Sequence, residues 1–229
     1  SGVAITHPDI FLNLWFNESE FLYGIENVDD DNNGFIDDWV GWDFYDNDNL
    51  PLDENGHGTL VASIIGGTNN GVGMTGIAPN ARILPIRTFD DFGATFSVSI
   101  FVSTTIYAES RGARIINCSF GGSPFTDTEQ YQIKWLGDKG ILVVCAAGNG
   151  GDDLRGDNND IDPQYPASYD GENIISVAAV QQRGRLTYWS NFGIQNVDIA
   201  GFEAGHHQPG TIRTQGIVVS ARDAGPGLL

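Results

Sequence analysis

The chain has 229 residues, of which 41% are hydrophobic, so it can bury a full core and is predicted to form one domain, residues 1–229. Thirty Asp and Glu against eleven Lys and Arg give a formal net charge of −19, which excludes nucleic acid and anionic membranes as expected partners and favours divalent cations. The segment contains no apolar run of about 18 residues and no signal-peptide pattern, so it predicts neither a membrane span nor a compartment.

The first motif along the chain is an acidic stretch, DDDNNGFIDD, at residues 29–38. Oxygen-bearing side chains alternate along it, and Gly34 allows a turn. This order of residues matches positions 1, 3, 5, 6, 7 and 9 of an EF-hand calcium loop. Position 12 is Val40 rather than a bidentate glutamate, so either Asp38 provides that ligand or calcium binds more weakly. A solvated acidic loop is the alternative. The candidate Ca²⁺ ligands are Asp29, Asp31, Asn33, Phe35 (through its carbonyl), Asp37 and Asp38.

The next motif, NGHGTLVASIIGG at residues 55–67, places His57 between two glycines at the start of a predicted helix. A helix N-terminus disfavours a cation, so the pKa of His57 should fall and the imidazole should be neutral near pH 7, ready to accept a proton. An ordinary capping or surface histidine is the alternative. The apolar residues spaced as a buried stripe of this helix are Leu60, Val61, Ile64 and Ile65.

Strand-like apolar runs then alternate with helical segments. The predicted strands are ARILPIRTF, ARIINCSF, GILVVCAAG, NIISVAAV and VDIAG, and the predicted helices are Ser97–Arg111 and Thr126–Lys139. Runs that are apolar on both faces, separated by helices, predict an α/β fold with a parallel β-sheet covered by helices on both faces. The functional site is expected at the strand ends. Asn27–Glu54 and Gly150–Asp162 are predicted to be long surface loops.

Two cysteines, Cys118 and Cys145, end two of these predicted strands. They are predicted to be free, buried thiols, and a disulfide would require that the two strands be neighbours with suitable geometry. Their apolar surroundings argue against either thiol as a nucleophile.

Four segments in order and spacing resemble the subtilisin-like serine proteases: SGVAITHPDI (1–10), NGHGTLVASIIGG (55–67), NCSFGGS (117–123) and AAGNGG (146–151). The resemblance covers essentially the whole chain. It implies a subtilisin-like α/β fold, a secreted monomeric endopeptidase stabilised by calcium, and a polypeptide substrate bound in an extended conformation.

The resemblance also implies roles for particular residues. His57 matches the general base and Asn149 the side-chain donor of the oxyanion hole, although a turn residue between glycines is the alternative for Asn149. The substrate-binding edge corresponds to Ser119, Phe120 and Gly121. The segment 87–96, with Gly93, corresponds to the opposite wall. Departures from the common family pattern are Thr95, Leu60 and Ser63.

A second calcium site is implied by the glycine-rich loop GTNNGVGMTG at residues 67–76, which resembles the tight calcium loop of the family. A plain glycine-rich turn is the alternative. The ligands implied by the resemblance are Asp9, the side chain of Asn70 and the carbonyls of Thr68, Val72 and Met74.

Two partners of the family triad have no match among the 229 residues. The family aspartate comes directly before a pair like Ser1-Gly2, and the nucleophile lies in a Gly-Thr-Ser-Met-Ala type motif that occurs nowhere here. We therefore expect a partial catalytic domain, without a central strand and the helix that follows the nucleophile, inactive as written. The alternatives are a non-catalytic calcium- and peptide-binding pseudoprotease, and a hydrolase or esterase with another nucleophile near His57, such as Cys118 or Ser119.

Overall fold

A computed structural model describes residues 1–90, 97–122, 124–151, 153 and 155–202 and the backbone of 217–221. The described residues divide into two compact units. The first contains Ser1–Arg114 and the last strand, and the second comprises the described part of Ile115–Gln215. Each unit is considered by itself, and the single domain expected from chain length stays a prediction.

The first unit combines short helices with three paired strands. Its elements are a 3₁₀ helix (Phe11–Asn13), α1 (Glu18–Leu22), β1 (Trp42–Asp43), α2 (His57–Gly66), β2 (Arg82–Arg87), α3 (Val98–Ser110) and β7 (Ile217–Ala221). Strand β1 is parallel to β2, with Trp42 opposite Ile86. Strand β7 is antiparallel to β2, which is a departure from the purely parallel pattern expected from the apolar runs.

The second unit is a parallel sheet in chain order. Its elements are β3 (Ala113–Cys118, from Ile115 onward in this unit), α4 (Asp127–Asp138), β4 (Leu142–Ala146), β5 (Ile174–Val180) and β6 (Ile199–Phe202). Each strand from β3 to β6 pairs in parallel with the next. The five predicted strands and the predicted helices are thus confirmed, and the fold class is α/β. Within the described residues, every helix is too short or too polar to cross a bilayer.

The buried face of α2 differs from the predicted apolar stripe. Leu60 is 64% exposed, and the buried residues of the helix are Gly58, Ala62, Ser63 and Gly66. Small residues face inward because the backbone of α2 lies close to its neighbours: a Cβ on Gly58 would come within 2.0 Å of the Gly2 carbonyl oxygen. Val61 and Ile65 still pack, partly buried, against the core of the first unit.

The acidic segment Asn27–Glu54 is predicted to be a surface loop, and this prediction is wrong for part of it. Val40, Trp42 and Asp43 are buried, and β1 lies within this segment. The Asp43 carboxylate is paired with the Arg87 guanidinium, which also contacts Asp46 at 2.6 Å. Asp43 is therefore buried together with an ionic partner, Arg87 on β2, and this part of the polar segment belongs to the interior. Likewise Asn159, within the second predicted loop, is fully buried.

Both cysteines are free and buried, as predicted. They lie directly opposite each other on β3 and β4. Burial raises the pKa of the Cys118 thiol, and a contact with Cys145 adds to that effect. A thiol held protonated is a poor nucleophile, which argues against Cys118 as a catalytic group.

Glu129, in the first turn of α4, is a buried acid that predicts a pH-dependent stability. Its Oε2 accepts a hydrogen bond of 2.8 Å from the Tyr169 hydroxyl, whereas its Oε1 is buried with no partner among the described residues. Burial raises the pKa of Glu129 to about 7, and the Tyr169 hydrogen bond opposes this only in part. The folded state therefore binds more protons than the unfolded state between the ordinary glutamate pKa and pH 7.

Because of this raised pKa, the protein should lose stability as the pH rises from about 4.5 to 7, by at most about 3 kcal/mol from this group. Glu129→Gln removes the charge at nearly constant volume, so it should flatten the loss and raise the melting temperature at pH 8 relative to the parent. Thermal unfolding at pH 5 and pH 8 measures both. Asp127→Asn, an exposed acid of the same helix turn, is the control, and equal pH dependence in all three proteins would contradict the assignment.

Candidate active site

His57 is the first residue of α2, in the first unit, and the local chain is fixed by Asp53. The Asp53 carboxylate accepts hydrogen bonds from the backbone of Asn55, Gly56 and Thr59 and from the Thr59 hydroxyl, at 2.6–3.1 Å. These bonds satisfy donors that a helix start would leave open. Both oxygens of Asp53 are thus occupied by the helix start, and none of these bonds goes to the imidazole.

The environment of His57 keeps its side chain neutral. Burial lowers the pKa of His57 to about 4, and Asp53 opposes this. The direction agrees with the sequence prediction, and burial is its main cause. The Nδ1 atom is buried and has no hydrogen-bond partner among the described residues. The imidazole is therefore available as a proton acceptor, with one ring nitrogen still to be satisfied.

The residues at the start of the chain pack directly against this helix start. The Ser1 side chain is buried and its Oγ accepts a 3.0 Å hydrogen bond from the Gly58 N–H. The Ala4 N–H donates to the Thr59 hydroxyl at 2.9 Å. Ser1 and Ala4, separated from α2 by more than fifty residues, are thereby held beside His57.

Asn149 lies in the second unit, in the turn that follows β4. It is exposed, and its neighbours Gly148 and Gly150 have φ of 117° and 74°, a left-handed region that other residues rarely adopt. An exposed amide on a turn of unusual backbone geometry at a strand end is suited to donate to a bound group. Sequence reasoning identified Asn149 but not the side chains that hold its turn, Asn159 and Asn191.

The predicted substrate edge, Ser119–Gly121, follows directly after β3 in the same unit. Phe120 is buried, whereas Ser119 and Gly121 are partly exposed. The Ser119 hydroxyl accepts a 2.8 Å hydrogen bond from the Asn117 amide, so its nearest polar contact is not a general base. Gly93, predicted for the opposite wall, lies outside the described residues.

The acidic loop brings together part of the predicted calcium set and adds one residue to it. Carboxylate oxygens of Asp31, Asp38 and Glu20 lie within 4.8 Å of one another. The Asp38 carboxylate accepts hydrogen bonds from Asn17, Asn33 and Tyr107, and Asp31 is paired with Arg111 at 2.9 Å.

The remaining predicted ligands of this loop have other contacts. Asp29 accepts hydrogen bonds from the backbone of Asn33 and Gly34, and Asp37 accepts one from the backbone of Asn27. Phe35 donates its N–H to the Asn33 side chain. In the described structure these contacts shape the loop, and the cluster of close carboxylates is Glu20, Asp31 and Asp38.

Glu20 is the residue that sequence reasoning missed at this site. It lies on α1, eleven residues before Asp31, and belongs to no spacing motif of the loop. It is 7% exposed; one oxygen accepts from the backbone of Asp30 and Asp31, and Oε2 is buried without a partner among the described residues. Burial raises the pKa of Glu20 and that of Asp38, and the hydrogen bonds that each carboxylate accepts oppose this only in part.

The second predicted metal loop, residues 67–76, is brought against Asp9. The Asp9 backbone carbonyl accepts from the Thr68 N–H at 2.6 Å, and its Oδ2 accepts from the Met74 N–H at 3.1 Å. Asn70 uses its amide to donate to the Pro8 carbonyl and its oxygen to accept from Val72. Asp9 is 3% exposed, and its Oδ1 and the Thr68 hydroxyl are buried without partners among the described residues. A carboxylate oxygen left open in this position fits a cation.

Comparison with known proteins identifies the family of this chain. The model of the Subtilase family, peptidase family S8, matches residues 1–221. The chain belongs to the subtilase family. Membership explains why a histidine at a helix start and an asparagine after a parallel strand occur in one chain.

Individual subtilases show the same relationship. A thermophilic serine proteinase of Bacillus sp. (strain AK1) is 43% identical over 154 residues, 67% of this chain and 36% of that protein. Thermitase of Thermoactinomyces vulgaris is 38% identical over 161 residues, 70% of this chain and 53% of thermitase. Subtilisin-like protease 2 of Plasmodium falciparum is 32% identical over 218 residues, 93% of this chain and 14% of that protein. The chain thus spans 36% and 53% of the first two relatives.

Solved subtilase structures confirm the predicted subtilisin-like fold. The psychrophilic subtilisin-like protease Apa1 of Pseudoalteromonas sp. AS-11 superposes with a TM-score of 0.58 at 27% identity, covering 88% of this chain and 39% of Apa1. The S41 psychrophilic protease gives a TM-score of 0.64 at 24% identity, covering 89% of this chain and 63% of S41, which is a likeness of fold.

Proposed function

We propose that the protein containing these residues is a serine endopeptidase, with His57 as general base and Asn149 as oxyanion donor. The observation that carries the proposal is the state of His57: a neutral imidazole at the start of α2 whose buried Nδ1 has no partner among the described residues. A polypeptide is the substrate, bound in extended form along Ser119–Gly121.

In this mechanism the two nitrogens of His57 have different tasks. The buried Nδ1 keeps its proton and donates a hydrogen bond to an orienting carboxylate, while Nε2 accepts the proton of the serine nucleophile and returns it to the leaving amine. Asp53 does not serve as the orienting group, because its oxygens already accept hydrogen bonds from the start of α2. The Asn149 amide donates to the oxygen that becomes negatively charged in the transition state.

The aspartate and the serine of the triad are proposed to come from parts of the protein outside these 229 residues. The coverage of the relatives supports this, because the matched region accounts for 36% and 53% of the first two. The 229 residues alone are then expected to be inactive.

Peptide hydrolysis by the full-length protein and by the 229-residue chain, each purified to homogeneity, tests the proposal. We expect turnover and labelling by a serine-directed phosphonate in the full-length protein alone. Peptide binding without turnover by the full-length protein would overturn the proposal in favour of a pseudoprotease. Turnover by the 229 residues that Ser119→Ala or Cys118→Ala abolishes would instead favour the non-standard hydrolase.

The proposal includes two calcium sites that stabilise loops of the first unit. The first is held by Glu20, Asp31 and Asp38, with the other oxygen groups of residues 29–37 around them. The second is held by Asp9 and the loop Thr68–Met74. The support is the buried, unpartnered carboxylate oxygen at each site, Glu20 Oε2 and Asp9 Oδ1, because burying such an oxygen is costly unless a cation or donor meets it.

Calcium removal should lower the melting temperature of the full-length protein. A ligand present at 100 times its dissociation constant stabilises the native state by about 2.7 kcal/mol, or roughly 5–10 °C for a chain of this size. Calcium bound at the first site contributes part of this increase in melting temperature. Glu20→Gln should lose most of that contribution. In chelator the same variant should melt no lower than the parent, because it removes a buried charge.

Glu18→Gln, an exposed acid on the same helix, is the matched control and should keep the full calcium gain. Thermal unfolding in calcium and in chelator measures all three proteins. If calcium raises the melting temperature of both variants equally, Glu20 is not a ligand of the first site. If calcium does not raise the melting temperature of the parent, neither site exists. Asp9→Asn tests the second site in the same way.

Secretion and a monomeric state are further parts of the proposal. They rest on the resemblance to subtilisin-like enzymes. The protein should be recovered from the culture medium of its source and should elute as a monomer in size-exclusion chromatography with light scattering.

A further inference from the structure

The turn that carries Asn149 is held from both sides by one buried residue, Asn191, which is 2% exposed. The Asn191 backbone N–H donates to the Gly148 carbonyl at 2.9 Å, and the Asn191 Oδ1 accepts from the Gly150 N–H at 2.6 Å. A Cβ on Gly148 would lie 2.6 Å from the Asn191 amide nitrogen. The backbone before and after Asn149 is therefore fixed against the same residue.

A second buried asparagine, Asn159, completes this arrangement. It is fully buried, and its Nδ2 donates to the Ala147 carbonyl at 2.7 Å, while its Oδ1 accepts from the Asn191 Nδ2 at 2.9 Å. Its backbone is fixed as well, since its N–H donates to the Phe192 carbonyl and its carbonyl accepts from the Asn196 amide. Hydrogen bonds thus connect the residues on both sides of Asn149 through two side-chain amides.

The orientation of both amides follows from the backbone groups at the two ends. The Asn191 oxygen must face Gly150 and Asp157, because both partners are N–H donors. Its NH₂ group must then face Asn159, whose oxygen accepts and whose own NH₂ group reaches the Ala147 carbonyl. Reversing either amide would set two acceptors or two donors against each other. Only one arrangement satisfies every group.

We infer that Asn191 and Asn159 are positioning residues for catalysis, which hold the turn of Asn149 so that its amide meets the oxyanion. The inference rests on the oxyanion role proposed for Asn149. An oxyanion donor contributes only if it is held in place before the reaction, since a displacement of about 1 Å can cost about 100-fold in rate. An exposed side chain on a turn flanked by two glycines obtains that rigidity from neighbours, and these two amides are hydrogen-bonded to the backbone on both sides of Asn149.

A double-mutant cycle on the full-length protein tests the inference. Asn191→Ala should lower kcat for a peptide substrate about 10–100-fold with little change in KM, because the lost interaction acts in the transition state. In a protein that already carries Asn149→Ala, the same change should lower kcat less than about 3-fold, since there is no donor left to misplace. Affinity for a peptide boronic acid, which mimics the tetrahedral state, should follow kcat.

Asn173→Ala is the matched control. Asn173 belongs to the same unit and donates to the carbonyls of Ile133 and Ile141, so its loss removes comparable hydrogen bonds at a distance from the turn. We expect it to lower the melting temperature and to leave kcat unchanged below melting. If Asn191→Ala does not fold, Asn191→Asp and Asn159→Asp keep the volume but place two acceptors together, and kcat should fall in the same non-additive way.

The outcomes separate this inference from the proposed function. A fall in kcat of the same factor with and without Asn149→Ala would overturn the positioning role, as would an unchanged kcat in folded Asn191→Ala. If Asn149→Ala alone leaves kcat unchanged in an active enzyme, the oxyanion role fails and the positioning role fails with it. Absence of peptide hydrolysis in the parent protein overturns both.

Discussion

Replacing His57 by alanine should lower kcat of the full-length protein toward peptides by about 10⁶-fold, the loss known for the histidine of subtilisin, another subtilase. The reason is that no other described group can take the serine proton at this position: Asp53 is occupied by the start of α2. Steady-state kinetics with a chromogenic peptide measure the change. Leu60→Ala, at an exposed position of the same helix, should keep full activity and serves as the control.

The pH profile of kcat/KM provides a second readout on the same residue. The base acts when neutral, so activity falls as the pH drops through the pKa of His57. In the described residues burial holds that pKa at about 4. A carboxylate beside Nδ1 stabilises the cation and raises the pKa, so the acid limb of the full-length enzyme should lie well above pH 4.

A residual activity in His57→Ala above about 1% of the parent would contradict the general-base role.

Asn149→Ala should lower kcat about 10²–10³-fold with KM nearly unchanged, the magnitude known for the corresponding asparagine of subtilisin. Asn149→Asp should be slower still at neutral pH, because it replaces a donor with a negative charge where the oxyanion forms. The two variants measured side by side separate a donor from a merely structural residue, for which Asp and Ala would not follow this order.

The exposed amide Gln195 of the same unit gives a control, since Gln195→Ala should leave kcat unchanged. A decrease of less than about 3-fold in Asn149→Ala would contradict the oxyanion assignment and leave the charge on the tetrahedral intermediate to backbone donors. Both variants should melt at the temperature of the parent, because Asn149 is exposed.

Much of the fold could be predicted from the sequence, because strands and helices here have strong local patterns. The strands β2 to β6 fall within the predicted apolar runs or one residue beyond them, and α3 and α4 end within two residues of their predicted bounds. The predicted inward face of α2 is wrong for a tertiary reason: the backbone of Gly2 approaches the helix so closely that Gly58 lies at the contact, while the larger Leu60 is exposed. Hydrophobicity alone does not report how close two backbones come.

The sequence by itself determined the α/β class, the candidate base His57 and the candidate donor Asn149, because each belongs to a short motif whose chemistry can be recognised locally. Only the tertiary structure decided that burial lowers the pKa of His57, that Glu20 joins Asp31 and Asp38, and that Asn159 and Asn191 hold the Asn149 turn. Most of these contacts join residues that lie far apart along the chain. Burial and hydrogen bonding between such residues depend on how the chain packs, and no local sequence pattern encodes them.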